Sequence, residues 1–226
     1  MSVVVLMPAH NEAERIAASV TAARSVRGVN RVIVIDDGSS DDTSGIAAAA
    51  GAEVIVMPVN VGKGGAMQAG LDAARNDADI LVLLDADLGT TAAEAELLIA
   101  PVQAGSADMT IAVLPRPAGS GGFGLVKGLA KRGIAALGNG FDSHAPLSGQ
   151  RALSQRAWQA AEPFASGYGA EVALTVRVLR AGLRVVEVPV SMAHAATGKD
   201  IAGFAHRGRQ FLHVLGALIR LTFERH

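Results

Sequence analysis

Apolar residues in this chain gather into short unbroken runs separated by polar turns and longer helical stretches. Val3 to Met7 is wholly apolar, as in a parallel strand buried on both faces. A helix is expected from Asn11, with Asn11 as its cap and Glu14 at the capping-box position. Arg31 to Ile35 reads as a second strand, Asp36 to Thr43 as a polar loop, and the alanines at 47 to 50 as a helix. Glu53 to Met57 predicts a third strand, followed by a glycine-rich turn and a helix from about Gly65 to Arg75. Ile80 to Leu84 is a fourth strand. Thr91 to Ala104 reads as helix, interrupted or restarted near Pro101, and Asp108 to Leu114 as a fifth strand. Strands alternating with helices of this length predict an α/β fold with a doubly wound, mostly parallel sheet flanked by helices.

The rhythm changes after residue 114. Pro115 to Gly124 is rich in proline and glycine and reads as a loop or lid, with Arg116 within it. Leu125 to Leu137 predicts a helix, Ala145 to Leu153 a strand, Tyr168 to Ala181 a helix, and Leu183 to Val190 a strand ended by Pro189. The final segment, Gly203 to His226, is amphipathic. Phe211, Val214, Leu215, Leu218, Leu221 and Thr222 share one face, and His213, Arg220 and Glu224 the other. Two readings stand: a terminal helix packed on the domain, or an interfacial helix at a membrane surface. There is no internal repeat and no hinge, so residues 1–226 read as a single domain. Within it, 1–114 is the ligand-binding half, 115–202 a second half, and 203–226 the terminal helix.

Composition narrows the function. The 226 residues carry 20 Lys plus Arg against 21 Asp plus Glu, a balance unlike that of a bulk nucleic-acid binder. The absence of cysteine removes disulfides, thiol catalysis and Cys-ligated zinc. No stretch reaches the ~18 apolar residues of a membrane span. Met1-Ser2-Val3 runs directly into the first strand without a basic leader. The expected address is cytoplasmic, with peripheral contact at the inner face of a membrane left open. The oligomeric state is not legible.

In open parallel sheets, ligands bind outside the carboxyl ends of the strands. Three polar clusters follow strands here: Pro8-Ala9-His10-Asn11-Glu12, Asp36 to Asp42, and Asp85-Ala86-Asp87. The Asp-x-Asp pattern occurs twice, so position must separate the copies. Asp77 and Asp79 precede the fourth strand and read as solvated or capping residues. Asp85 and Asp87 follow it, and in an extended segment they point the same way. Two such carboxylates can hold Mg²⁺ and, through it, a diphosphate. Asn60-Val61-Gly62-Lys63-Gly64-Gly65 lies at another strand-to-helix turn. It lacks P-loop spacing, yet offers backbone N–H groups and one cation to a phosphate or ribose.

These segments, together with Val34 to Thr43, Leu83 to Asp87 and Ser148-Gly149-Gln150-Arg151, resemble the family 2 nucleotide-sugar glycosyltransferases of GT-A fold, over Val3 to about Lys199. The resemblance implies a metal-dependent sugar transfer from a nucleotide sugar, UDP preferred and GDP second, assisted by Mn²⁺ or Mg²⁺. It implies nucleoside contacts from Pro8, Ala9, His10 and Glu12, and base recognition by Asp37 with Asp36 beside it. Gly62, Lys63, Asp85, Ala86 and Lys199 fall on the donor side. Asp87 is implied as metal ligand, with Asp85 near and His194, after Val188-Pro189-Val190, as a late ligand. Glu171 occupies roughly the place of the family's catalytic acid. The usual Glu-Asp pair is replaced by Ala170-Glu171, so Glu171 reads equally as a first-turn helix residue. Ser148, Gly149, Gln150 and Arg151 match an acceptor-side segment, with Arg151 suited to an anion and, with Lys63 and Lys199, to assisting departure of the diphosphate. The implied acceptor is a polyprenyl phosphate or a small anionic metabolite. The rival readings are a nucleotidyltransferase of related fold, against which the Pro8 to Glu12 segment counts, and a non-catalytic nucleotide-sugar-binding protein.

Overall fold

The computed structural model describes residues 1–115, 124–165, 167–194 and 202–224. Seven strands form one sheet: β1 (Val3–Ala9), β2 (Val29–Asp36), β3 (Glu53–Val56), β4 (Ile80–Leu83), β5 (Met109–Val113), β6 (Arg151–Ser154) and β7 (Val185–Pro189). Their spatial order is β3-β2-β1-β4-β6-β5-β7. Only β6 runs against its neighbours, pairing antiparallel with β4 and β5. The carboxyl ends of the other six therefore share one rim, and β6 starts from that rim.

The helices are α1 (Ile16–Ser25), α2 (Thr43–Ala49), α3 (Gly62–Ala74), α4 (Ala95–Gln103), α5 (Gly124–Leu137), α6 (Gln155–Ala161), α7 (Ala170–Arg180) and α8 (Ala202–Phe223). They cover both faces of the sheet, which explains the unbroken apolar run of β1. Val3, Val5 and Met7 pack with Ile16, Val20 and Leu98 on one face. Val4 and Leu6 pack with Met67, Leu71, Trp158 and Leu174 on the other. A third cluster joins α5, α7 and α8 through Val126, Ile134, Val176, Val214 and Leu218.

Three expectations are corrected. Asn11 does not cap a helix: its backbone is left-handed (φ 57°), and its side-chain oxygen accepts from Ser40 N at 2.8 Å. The first helix begins at Ile16 without a side-chain cap. The strand expected over Ala145 to Leu153 is reduced to Arg151–Ser154, because Pro146 and Gly149 suit a turn rather than a ladder. Helix α6 follows it directly, with Ser154 as N-cap. Thr91 to Ala104 divides into a 3-10 turn, Gly89–Glu94, and α4, which accommodates Pro101.

The terminal helix packs on the domain through Val214, Leu218 and Leu221, while Leu212, Ile219 and Phe223 are exposed. Among the described residues no helix is long and apolar enough to cross a membrane.

Candidate active site

The rim gathers most of the sequence-predicted clusters. Asp77 and Asp79 lie at the opposite end, where Asp77 pairs with Arg31 at 2.7 Å and Asp79 accepts from Ser2 N. At the rim, Lys63 stands between two carboxylates, 2.6 Å from Asp85 Oδ1 and 3.2 Å from Glu171 Oε1. These three come from α3, the end of β4 and the first turn of α7. Burial works against the Lys63 charge, but Asp85 and Glu171 outweigh it and raise the pKa, so Lys63 stays an ammonium. Burial would likewise raise Asp85, yet the Lys63 charge prevails and holds it below the usual carboxylate range.

Asp87 lies beside this group, with His194 Nδ1 2.9 Å from its Oδ1. That contact raises the His194 pKa despite partial burial, with the charges of Asp85 and Asp87 adding to it. Asp85, Asp87 and His194 each offer one ligand atom, all within 4.8 Å of one another. Two carboxylate oxygens and an imidazole nitrogen suit Mg²⁺ or Mn²⁺. Glu12 adds to the negative charge. Burial, followed by the proximity of Asp87, pushes its carboxyl pKa up even though Arg15 lies 3.4 Å away. The cluster thus holds more carboxylates than Lys63 alone offsets, and a divalent cation fits it. Asp85 is already held by two donors, Lys63 and Gln150 Nε2 at 2.5 Å, so Asp87 and His194 are the readier ligands.

The residues expected on the nucleoside side divide into surface and scaffold. His10 and Asn11 are exposed, Pro8 is half-buried and Ala9 is buried. His10 Nδ1 lies 2.9 Å from the Asp37 carbonyl oxygen. Asp37 is almost fully buried, and its carboxylate accepts from Val61 N at 2.7 Å and Gly62 N at 2.8 Å. It thereby fixes the turn that presents Lys63. Asp36 is also buried and accepts from Ser39 N and Ser44 Oγ. Burial alone would raise its pKa, but these hydrogen bonds hold it low. Asp36 therefore holds its own loop together. Ala86 is buried, and its carbonyl accepts from Ser19 Oγ at 2.6 Å.

Of the segment expected to face an acceptor, Ser148, Gly149 and Gln150 line a cavity of about 620 Å³, together with Lys63, Asp85, His194, Lys127 and Glu187. Arg151 does not line it. The expectation that Arg151 contacts an anion is corrected: Arg151 is fully buried, with its guanidinium turned to the protein's own oxygens. Its Nε donates to Ser148 O at 2.9 Å and its Nη1 to Thr175 Oγ1 at 2.8 Å. Burial lowers its pKa to about 10, partly opposed by Glu171 and Glu187, and it remains a cation at neutral pH. Lys199 and Arg116 lie outside the described residues, as does most of the expected lid.

Sequence reasoning missed Glu187, Lys127 and the Gln150–Asp85 contact. Glu187 carried a legible signal, an acid inside the apolar run Val185–Pro189. Its carboxylate gathers Ser143 Oγ and the backbone N–H groups of His144 and Ala145 at 2.7 to 3.0 Å, tying the loop before β6 to β7. A second cavity, of about 880 Å³, opens from Lys63 and Glu171 toward α8, between Phe164 and Arg220.

Known proteins share this fold. A computed overlay on the crystal structure of Mycobacterium tuberculosis glucosyl-3-phosphoglycerate synthase in complex with Mn²⁺, UDP and phosphoglyceric acid gives a TM-score of 0.81 at 28% identity, covering all of this chain and 80% of that one. The same synthase with Mn²⁺ and UDP-glucose gives 0.79 at 29% identity, over 99% and 80% of the two chains. The seven-stranded mixed sheet is thus of GT-A type. By sequence, the chain is 31% identical to that synthase over 96% of its own length and 69% of the relative's. It is 29% identical to the undecaprenyl-phosphate mannosyltransferase of Micrococcus luteus over 88% and 87%. It is also 29% identical to glycosyltransferase AglJ of Haloferax volcanii, where it spans 65% of the relative, and it spans 58% of the glucosyl-3-phosphoglycerate synthase of Mycolicibacterium paratuberculosis. The family model for glycosyl transferase family 2 matches residues 4–140, and with these relatives and this rim the chain belongs to that family.

Proposed function

We propose that this chain transfers a sugar from a nucleotide sugar, UDP preferred over GDP, to an acceptor that carries an anion. The observation that carries this reading is the Asp85–Lys63–Glu171 charge chain standing beside the Asp87–His194 pair at one sheet rim. The glucosyl-3-phosphoglycerate synthase structures with Mn²⁺ or Mg²⁺ and UDP support it, as does the family itself.

The nucleoside would lie over Pro8 to Glu12 and the turn fixed by Asp37, with the diphosphate directed to Asp87 and His194. Asp87 and His194, with Asp85 near, would hold a divalent ion, which would supply charge to stabilise a departing nucleoside diphosphate. Lys63 brings a second, permanent positive charge to the same point, fixed in advance by two carboxylates. Asp85 and Glu171, on either side of Lys63, would accept hydrogen bonds from sugar hydroxyls and orient the reacting carbon. An acceptor phosphate or carboxylate is ionised already and needs little proton removal, so Glu171 serves orientation.

The 620 Å³ cavity reaches Lys63, Asp85 and His194 and is lined on the acceptor side by Lys127, which makes no ion pair among the described residues. Lys127 takes the anion-binding part expected of Arg151. Two acceptor classes share this chemistry. A small phosphorylated acid fits the cavity. A polyprenyl phosphate accords with the similarity to the M. luteus enzyme and with the apolar side chains exposed on α8. Turnover of UDP-sugars with Mn²⁺ against phosphoglycerate in one arm and polyprenyl phosphate in detergent in the other tests the reading. Sugar transfer in one arm supports it and names the class. Absence of both transfer and slow donor hydrolysis across a panel of nucleotide sugars would overturn it.

A further inference from the structure

Lys63, Asp85 and Glu171 arise from three separate elements, and one short segment lies against the first two and is tied to the third through Thr175. Gln150, 1% exposed, donates through Nε2 to Asp85 Oδ2 at 2.5 Å, and its Oε1 lies 3.2 Å from Ser148 Oγ. The Ser148 hydroxyl thus fixes which way the amide faces, leaving the NH₂ for the carboxylate. Gly149 passes so close that a Cβ there would collide with Lys63 Nζ and stand 3.1 Å from Asp85 Oδ1. A lysine end can normally step aside, but this one is pinned between two carboxylates. Arg151 ties the Ser148 carbonyl to Thr175 Oγ1, and that hydroxyl donates to the Glu171 carbonyl at 2.8 Å. The turn is thereby bound to the first turn of α7, which carries Glu171.

We infer that Ser148–Gly149–Gln150–Arg151 is a positioning element for the donor side of the site, acting through Asp85, Lys63 and α7, rather than a strip of acceptor contacts. Gln150 is its working residue. It takes one oxygen of Asp85 while Lys63 takes the other, and so sets the plane of the carboxylate. An outer-shell partner of this kind typically changes ligand affinity or activity by roughly 10–100-fold when removed. Gly149 is the only residue type that leaves Lys63 its place. Arg151 is the buried pin that keeps the turn in register with α7. The inference rests on the reading that Asp85 faces the donor sugar.

Gln150→Leu removes the amide at similar size. Its crystal structure is the first readout and does not depend on activity: the Asp85 carboxylate leaves its place beside Lys63 in the variant, and an Asp85 unchanged in position would overturn the inference. The second readout is kinetic. Gln150→Leu lowers kcat with the donor roughly 10–100-fold and leaves the acceptor KM within about twofold, whereas a raised acceptor KM at unchanged kcat would make the segment an acceptor contact. Gly149→Ala gives the same pattern by displacing Lys63, and covers the case in which Gln150→Leu fails to fold. In an Asp85→Asn background Gln150→Leu adds little further loss, because both act through one group; full additivity would contradict the inference. If the wild-type chain shows no transfer at all, the proposed function fails, and the position of Asp85 in the crystal still decides this inference by itself.

Discussion

The Lys63 ammonium lies 2.6 Å from Asp85 Oδ1, joining the helix that follows β3 to the loop that follows β4. Glu171 closes the group from α7. Removing Lys63 leaves two carboxylates facing each other without their shared cation. Lys63→Ala is expected to lower kcat/KM for the donor by roughly 100-fold, the scale for loss of one charge-stabilising donor. Steady-state kinetics at fixed Mn²⁺ checks it, and a loss under threefold would remove Lys63 from the charge balance.

The two Asp-x-Asp pairs make opposite predictions. Asp77 pairs with Arg31 at the exposed end away from the rim, and such pairs contribute about 1 kcal/mol or less. Asp77→Ala leaves turnover close to wild type. Asp87→Ala removes the partner of His194 and abolishes metal-dependent turnover. Parallel assays of the two variants decide; equal losses would mean that the rim is not the reaction site.

Glu187 gives a pH prediction. Burial would raise its pKa, but the hydrogen bonds from Ser143, Ala145 and His144 outweigh this and lower it. A depressed folded-state pKa contributes stability that is fully present above the unfolded value, 4.5, and is lost as pH falls through the lower folded value. Glu187→Gln is therefore less stable at pH 7, on the order of 2 kcal/mol for hydrogen bonds to a buried charge. The gap to wild type narrows as pH falls below about 4.5. Denaturant titrations at pH 7 and in mild acid measure it; a gap that widens in acid would contradict the assignment.

Helix α8 supplies a packing test. Leu218 is 8% exposed and Phe223 79% exposed, and Leu218 lies directly against Gly133 of α5. Leu218→Ala should cost about 2–5 kcal/mol, while Phe223→Ser stays within about 0.5 kcal/mol. Equal effects in thermal unfolding would mean that α8 is not docked in this register.

Much of the site was legible because a parallel sheet puts the turns after its strands at one rim, so polar clusters behind apolar runs could be assembled before any contact was known. The same logic separated Asp85 and Asp87 from Asp77 and Asp79. What escaped depended on side-chain direction. Arg151 looked like an anion contact, but it opens β6 in the middle of the sheet, where the chain turns it inward to Thr175. Asp36 and Asp37 are adjacent in sequence, yet Asp36 serves its own loop and Asp37 the 61–62 turn. Asn11 carries the cap chemistry of a helix start and spends it on Ser40 across the rim. Helix α6 is only seven residues long, too short for periodicity to declare it.

The central claim is that Asp87 and His194, with Asp85 near, bind a diphosphate through a divalent cation. Calorimetric titration of UDP into the protein with and without Mn²⁺ tests it most directly. UDP is expected to bind at least tenfold more tightly with Mn²⁺ present, a gain that disappears in Asp87→Ala. UDP affinity unchanged by Mn²⁺, or a metal-dependent gain that survives loss of Asp87, would contradict it.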